Sequence, residues 1–437
     1  MMQLFLVVLY SLIFIYIFKK HSFFKSKNLS WKFISSIFLI KIVFGYLLYL
    51  VYTYYYTDKI NSDIYKYFDD SKIMFDAIYN KPLDYLKMLF GIGNDSDYYN
   101  NYYNEMNNWY RKYESNIYND SHTIIRFNAF VRIFSFGYYH VHTVFMCFLS
   151  TIGMVGLFKS FEKLLSNKIM FLKAVVFLVP SVLFWASGVL KEGLVIFALG
   201  LLIYNLLNFL NKRFSISGIF VFMFCLLLLL HLKIYILVSL LPGILFLLMI
   251  RVTSKKYILF KFSISILTVL IIGLNIHHIY PSFNAYELLA SKQNDFIGLS
   301  KYMESGSFIN TNKLEPTFYS ILINLPRALI NSVFRPFPTD INSFFVLFSF
   351  IENLMILFLC FICLLYSKKE NFKNEFFLFT LIYFIFLFIF IGLVTPVIGA
   401  IVRYKVPALS LMLISFLFVL DRTKLKKSKL YLKFLVK

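Results

Sequence analysis

The chain has 437 residues, of which 59% are hydrophobic, 20% aromatic and only 15% charged, and its mean hydropathy is +0.72. A soluble domain of this size does not carry so little charge. The formal net charge is +22, but Lys and Arg lie in short clusters between apolar runs, which is the pattern of membrane topology and anionic headgroup contact and excludes a nucleic-acid partner.

The expected class is an all-α, polytopic transmembrane protein with about eleven spans. Residues 2–18 form the first run. No basic segment precedes it and no small-residue cleavage site follows it, so it reads as an uncleaved helix. Residues 33–55 form the second. A long polar segment, 57–138, follows and holds eleven of the 22 acidic residues together with a run of Tyr and Asn.

The third span is expected at 139–158, the fourth at 169–187 and the fifth at 193–210. The run 216–250 is too long for one crossing. His231, Leu232 and Lys233 divide it, which suggests a tight hairpin and two spans. The eighth is expected at 257–280. A second long segment, 281–342, contains an amphipathic stretch at 318–337 suited to the membrane interface. The ninth span is expected at 343–366, the tenth at 376–394 and the eleventh at 408–420. No fixed-period repeat is visible, so 1–437 reads as one membrane domain with two loop insertions.

Orientation follows from the charges. The basic segments 19–32, 159–168, 211–215, 251–261, 367–374 and 421–437 can all be placed on one side. The positive-inside rule makes that side cytoplasmic, with the N-terminus outside, the C-terminus inside and both long loops extracytoplasmic.

The loops hold the chemistry. Asp63, Asp69 and Asp70 stand just past the second span. On a helix Asp63 and Asp70 share a face and Asp69 lies beside them. Such carboxylates can serve as general base or hold a divalent metal. The plain alternative is that they keep an aqueous loop soluble. Lys191, Lys233, Arg327, Arg335 and Arg403 all fall on the outer side in this topology, three of them in short turns where the topogenic bias disfavours cations. A phosphate or pyrophosphate is the simplest ligand for the set, and snorkelling to headgroups is the plain alternative.

The histidines His140, His142, His277 and His278 read as interfacial anchors, while His231 shares the turn of Lys233. The four cysteines lie in apolar runs, so neither a disulfide framework nor a metal site is expected, even from the CxxC of Cys360 and Cys363.

Three stretches carry a family resemblance: PSVLFWASGVLKEGL at 180–194, LPRALINSVFRPFPTDINSFFVLFSFIEN at 325–353 and GAIVRYKVP at 399–407. They resemble parts of polytopic bacterial envelope proteins of polysaccharide assembly, relatives of C-type-fold membrane glycosyltransferases and of O-antigen or capsule polymerases. The position of Asp63 and Asp69–Asp70 is similar to the acidic motif of the C-type enzymes, although it follows the second span here and the first span there.

The resemblance implies a multi-pass protein of the bacterial inner membrane that transfers or polymerises sugar units from a polyprenyl-phosphate-linked donor to a glycan acceptor at the outer face. Asp69 or Asp70 would be the base, and Lys191, Lys233, Arg327, Arg335 and Arg403 would hold the donor's phosphate. The cofactor stays open, a divalent metal included. The alternatives are a transporter or flippase of lipid-linked oligosaccharide and a non-catalytic envelope scaffold. Few charges are visible within the spans, Lys41 and Lys173 being the clearest. That scarcity favours a site at one surface over a path through the bilayer.

Overall fold

The computed structural model describes residues 1–56, 62–94, 96–110, 119–302 and 306–427. The end of the C-terminal basic segment, 428–437, lies outside the described residues. Among the described residues the protein is all-helical, with no β-strand.

In chain order the main helices are α1 (Met2–Lys20), α2 (Trp31–Leu50), α3 (Asp63–Asn80), α4 (Pro82–Phe90), α5 (Ser121–Ser135), α6 (Tyr139–Phe161), α7 (Ile169–Phe177), α8 (Pro180–Trp185), α9 (Lys191–Leu210), α10 (Ile216–Val252), α11 (Ile258–Asn275), α12 (Ala285–Tyr302), α13 (Phe318–Phe334), α14 (Phe344–Leu365), α15 (Glu375–Val394), α16 (Ile398–Tyr404) and α17 (Val406–Val419). Among the described residues, eight helices are long and apolar enough to cross a membrane, and the bent pair α16–α17 would make nine.

The division expected in the run 216–250 is present at Lys233, where two helices meet across a kink and the backbone leaves the helical region at φ −156° and ψ 79°. Two other expected spans take a different form. The fourth, 169–187, is two short helices, because Pro180 lacks a backbone donor and disfavours helix in the residue before it. The eleventh begins ten residues earlier than expected and bends by 59° between α16 and α17.

The chain divides into two compact units: 1–162 with 182–234, and 163–181 with 235–437. In the first unit, α6 and α9 approach until their backbones touch. A Cβ at Gly200 would lie 1.9 Å from the Gly153 carbonyl oxygen, and one at Gly153 would lie 2.2 Å from that of Ile196. Lipid tails are as apolar as leucine, so such helices associate by close backbone packing at small residues.

The same unit must also satisfy the irregular stretch between α8 and α9. Lys41 of α2 is fully buried and donates to the Ala186 carbonyl at 3.0 Å. Cys147 of α6 donates to the Ser187 carbonyl at 3.3 Å. Gly45 leaves room for that carbonyl, since a Cβ there would meet it at 2.6 Å. Non-helical backbone at membrane depth persists only where protein supplies its hydrogen bonds.

Among the described residues between α2 and α6 the chain is largely helical. Helices α3, α4 and α5 pack on one another. Their joint is fixed by Arg132, which donates to Ser71 Oγ at 2.8 Å and to the Phe68 carbonyl at 2.5 Å, and whose guanidinium lies 4.2 Å from the Phe68 ring.

In the second unit the expected amphipathic helix is present as α13. Ala328 packs it onto α15 so closely that a Cβ at Gly392 would lie 2.0 Å from the Ala328 carbonyl oxygen. Its other side exposes Tyr319, Leu322, Ile323 and Ile330, as an interfacial helix would. Gln293 of α12 ties the neighbouring chain down, donating to the Leu393 carbonyl at 3.0 Å and accepting from the Leu314 amide at 2.7 Å. Elsewhere in this unit, buried Glu375 pairs with Arg251 at 3.6 Å and Lys255 at 3.0 Å.

The glycine contacts make a direct prediction. Gly200→Val forces α6 and α9 apart and should destabilise the protein by at least the ~1–3 kcal/mol typical of overpacking. Gly399 has open space around its Cβ position, so Gly399→Ala should be neutral. Thermal unfolding of both variants in detergent checks this, and equal melting temperatures would refute the packing argument.

Candidate functional site

The best-formed constellation of charges is in the first unit. Lys191 is the first residue of α9, delivered there by the cradled stretch 186–190. Lys233 sits at the break in α10. Both reach the same carboxylate. Lys191 Nζ lies 2.9 Å from Asp120 Oδ1, and Lys233 Nζ lies 3.2 Å from Asp120 Oδ2. Lys191 also donates to Ser121 Oγ at 3.1 Å and lies 5.1 Å above the Tyr67 ring. The lysine side chains are only 7% and 12% exposed and the Asp120 side chain 20%, so the carboxylate is the most accessible member. The charge of Asp63, at the start of α3, also acts on Lys191. Thr123 donates to the His231 carbonyl at 3.3 Å, joining α5 to the turn of Lys233.

The three aspartates of α3 separate into different environments. Asp63, at the start of the helix, acts on Lys191 through its charge. Asp69 is exposed, and desolvation holds its carboxyl above the usual range against the opposing charge of Arg132. Asp70 is buried and accepts from the Asn107 and Asn108 amides, both at 2.8 Å. Desolvation raises it to about 6, against the lowering effect of those two hydrogen bonds. Asp70 therefore anchors the 107–110 stretch. Burial likewise lowers Arg132 to about 10, with Asp69 and Asp76 opposing.

The anchored stretch reaches back to Asp120. Asn119 donates to the Asn108 and Trp109 carbonyls at 2.9 Å and 2.8 Å. The Trp109 indole is stacked between Tyr103, at 4.0 Å, and His122, at 3.8 Å.

The remaining predicted cations lie in the second unit. Arg327 donates to the Asn310 carbonyl at 2.5 Å. Arg335 pairs with Asp340 at 2.6 Å and donates to Asn331 at 3.0 Å. Arg403 is in α16. Two residues beyond it, Lys405 stands at the bend between α16 and α17, almost wholly buried. Its Nζ donates to the Arg335 carbonyl at 3.1 Å and to Asn353 Oδ1 at 3.2 Å. Asn353 in turn donates to the Val333 and Phe334 carbonyls, which caps the C-terminal end of α13. Glu352 accepts from the Ser181 amide at 2.8 Å and from its hydroxyl. Glu352 and Lys405 line one small cavity with Ser181, Ser349 and Asn353.

Sequence reasoning missed Asp120, Arg132, Glu352 and Lys405. Two had a visible signal: Glu352 is the one acidic residue in the apolar run 343–366, and Lys405 belongs to the stretch GAIVRYKVP. Asp120 looked like one loop acid among eleven. Among the described residues, no group of three or more His, Cys, Asp or Glu side chains is placed to hold a metal ion. No protein-family model, curated protein or solved structure matches the chain.

Asp70 generates a pH prediction. Its folded-state value lies above that of an unfolded aspartate, so the native segment binds the extra proton. Its contribution to stability is complete below about pH 4 and is lost as pH rises through about 6. Amide-exchange protection at residues 107 and 108 should therefore fall over that window after correction for intrinsic rates. Asp70→Ala should cost ~1–3 kcal/mol for each orphaned amide and abolish the pH dependence. A pH-independent protection profile in the wild type would refute the assignment.

Proposed function

We infer that this protein transfers or polymerises sugar units from a polyprenyl-phosphate-linked donor at the outer face of the bacterial inner membrane. The observation that carries the reading is the convergence of Lys191 and Lys233, from separate helices, on one pair of oxygens. Two ammonium groups so placed suit two oxygens of a phosphate or pyrophosphate, which leaves the donor as an anion.

In this reading the acceptor hydroxyl gives its proton to a nearby carboxylate and attacks the anomeric carbon. The bond from that carbon to the phosphate oxygen breaks, and the lysines stabilise the charge that develops. Asp63, whose charge acts on Lys191, joins Asp69 and Asp70 as a candidate base. Arg327, Arg335 and Arg403 form a second cationic set, suited to a second phosphate or to the acidic groups of a glycan. A topology of eleven crossings, with both folded loops outside, gives all these residues access to the outer leaflet.

A transporter of lipid-linked oligosaccharide is the second reading, and a specific observation favours it. Ionisable residues among the apolar helices are more numerous than the sequence suggested: beside buried Lys41, Glu352 lies half-buried in α14 and Lys405 is buried at the bend between α16 and α17. Interrupted helices with polar side chains at the breaks are also a feature of transport sites.

Turnover decides between the two. With purified protein in nanodiscs and a polyprenyl-pyrophosphate-linked sugar, Lys233→Gln should lower transfer ~10²–10³-fold, the usual loss on removing one group that stabilises developing charge. Asp63→Asn should lower it by a similar factor if Asp63 is the base. Donor translocation across liposomes without any glycosidic product would establish the transporter instead.

Topology is tested separately. The four native cysteines are buried, so they leave little background. Cysteines placed at Asn104 and Lys313 should react with an impermeant thiol reagent in intact cells, and one at Ser254 should not. Reaction at Ser254 would invert the orientation.

A further inference from the structure

Asp120 directly precedes α5, but the first amides of that helix are served by Asn119, whose Oδ1 accepts from Ser121 and whose carbonyl accepts from His122. The two Asp120 oxygens are committed to Lys191 and Lys233, one each. That is the arrangement two oxygens of a phosphate would take between the same lysines. We propose that Asp120 is an internal stand-in for an oxyanion: it fills the Lys191–Lys233 site until a phosphate displaces it.

Two observations support the exchange. The lysines are buried, whereas Asp120 is the more exposed partner. Removal of the carboxylate without replacement would leave two buried ammonium groups facing each other, so vacancy is costly and exchange is favoured. The proposal deepens the donor-phosphate reading of the same lysines and rests on it, but it concerns binding and not chemistry.

The probe is inorganic pyrophosphate, titrated calorimetrically into the full-length protein in phosphatidylcholine nanodiscs. Asp120→Asn removes the competing charge and keeps the shape. It should tighten pyrophosphate binding by about tenfold or more, the value of one charge-assisted hydrogen bond. Asp120→Ser, a second way of removing the charge, should do the same and guards against misfolding of the first variant. Lys191→Met should abolish binding.

The proposal is overturned if neither Asp120 variant binds more tightly than the wild type, or if Lys191→Met binds unchanged. Two competitors identify the source of the oxyanion. Displacement by a low mole fraction of polyprenyl phosphate assigns it to the lipid carrier. Displacement by phosphatidylglycerol alone assigns it to a headgroup, which supports the exchange but removes the donor from this site. Tight binding without any sugar transfer would likewise leave the exchange standing and sink the enzymatic reading.

Discussion

Backbone hydrogen bonding inside apolar surroundings is the constraint on which this structure depends. Every interruption of a membrane-length helix exposes carbonyls and amides that water cannot reach. The protein answers each one with a specific side chain. Lys41 and Cys147 serve the stretch between α8 and α9. Asn353 and Lys405 serve the end of α13, and Ser181 with Glu352 serves the start of α8. The breaks, once satisfied, become the points where functional side chains can leave the helical repeat, as Lys191 and Lys233 do.

The same constraint explains what could be read from the sequence. Apolar runs mark helices because length and hydropathy are local properties, and α1, α2, α6, α9, α11, α14 and α15 fall within a few residues of their expected positions. Breaks inside apolar runs are set by partners far along the chain, and only the one at Lys233 was expected from its polar residue. The bend at Lys405 also carries a polar residue but was not expected. In the acidic segment, spacing placed Asp63 and Asp70 on one face of a helix, and α3 is a helix. Spacing could not foresee that Asp70 would bind the 107–108 amides while Asp63 acts on Lys191. Those pairings depend on how α3 meets segments that are dozens of residues away.

The cationic residues illustrate how far a topogenic argument reaches. Lys191, Lys233 and Arg403 drew attention because they occupy short turns that should lack positive charge. The structure places the first two together, with an acid between them, and gives Arg327 and Arg335 local partners of their own. Burial separates these cases: a lysine 7% exposed and bound to an aspartate is not a headgroup anchor.

The stacked indole of Trp109 has an optical consequence. It is sandwiched between a phenol and an imidazole, and its carbonyl is held by Asn119, the residue directly before Asp120. Its emission depends on ring overlap within the stack, so the folded segment contains a built-in fluorophore. Of the three tryptophans in the chain, Trp31 and Trp185 belong to apolar helices, so the signal of Trp109 can be isolated by replacing those two with phenylalanine.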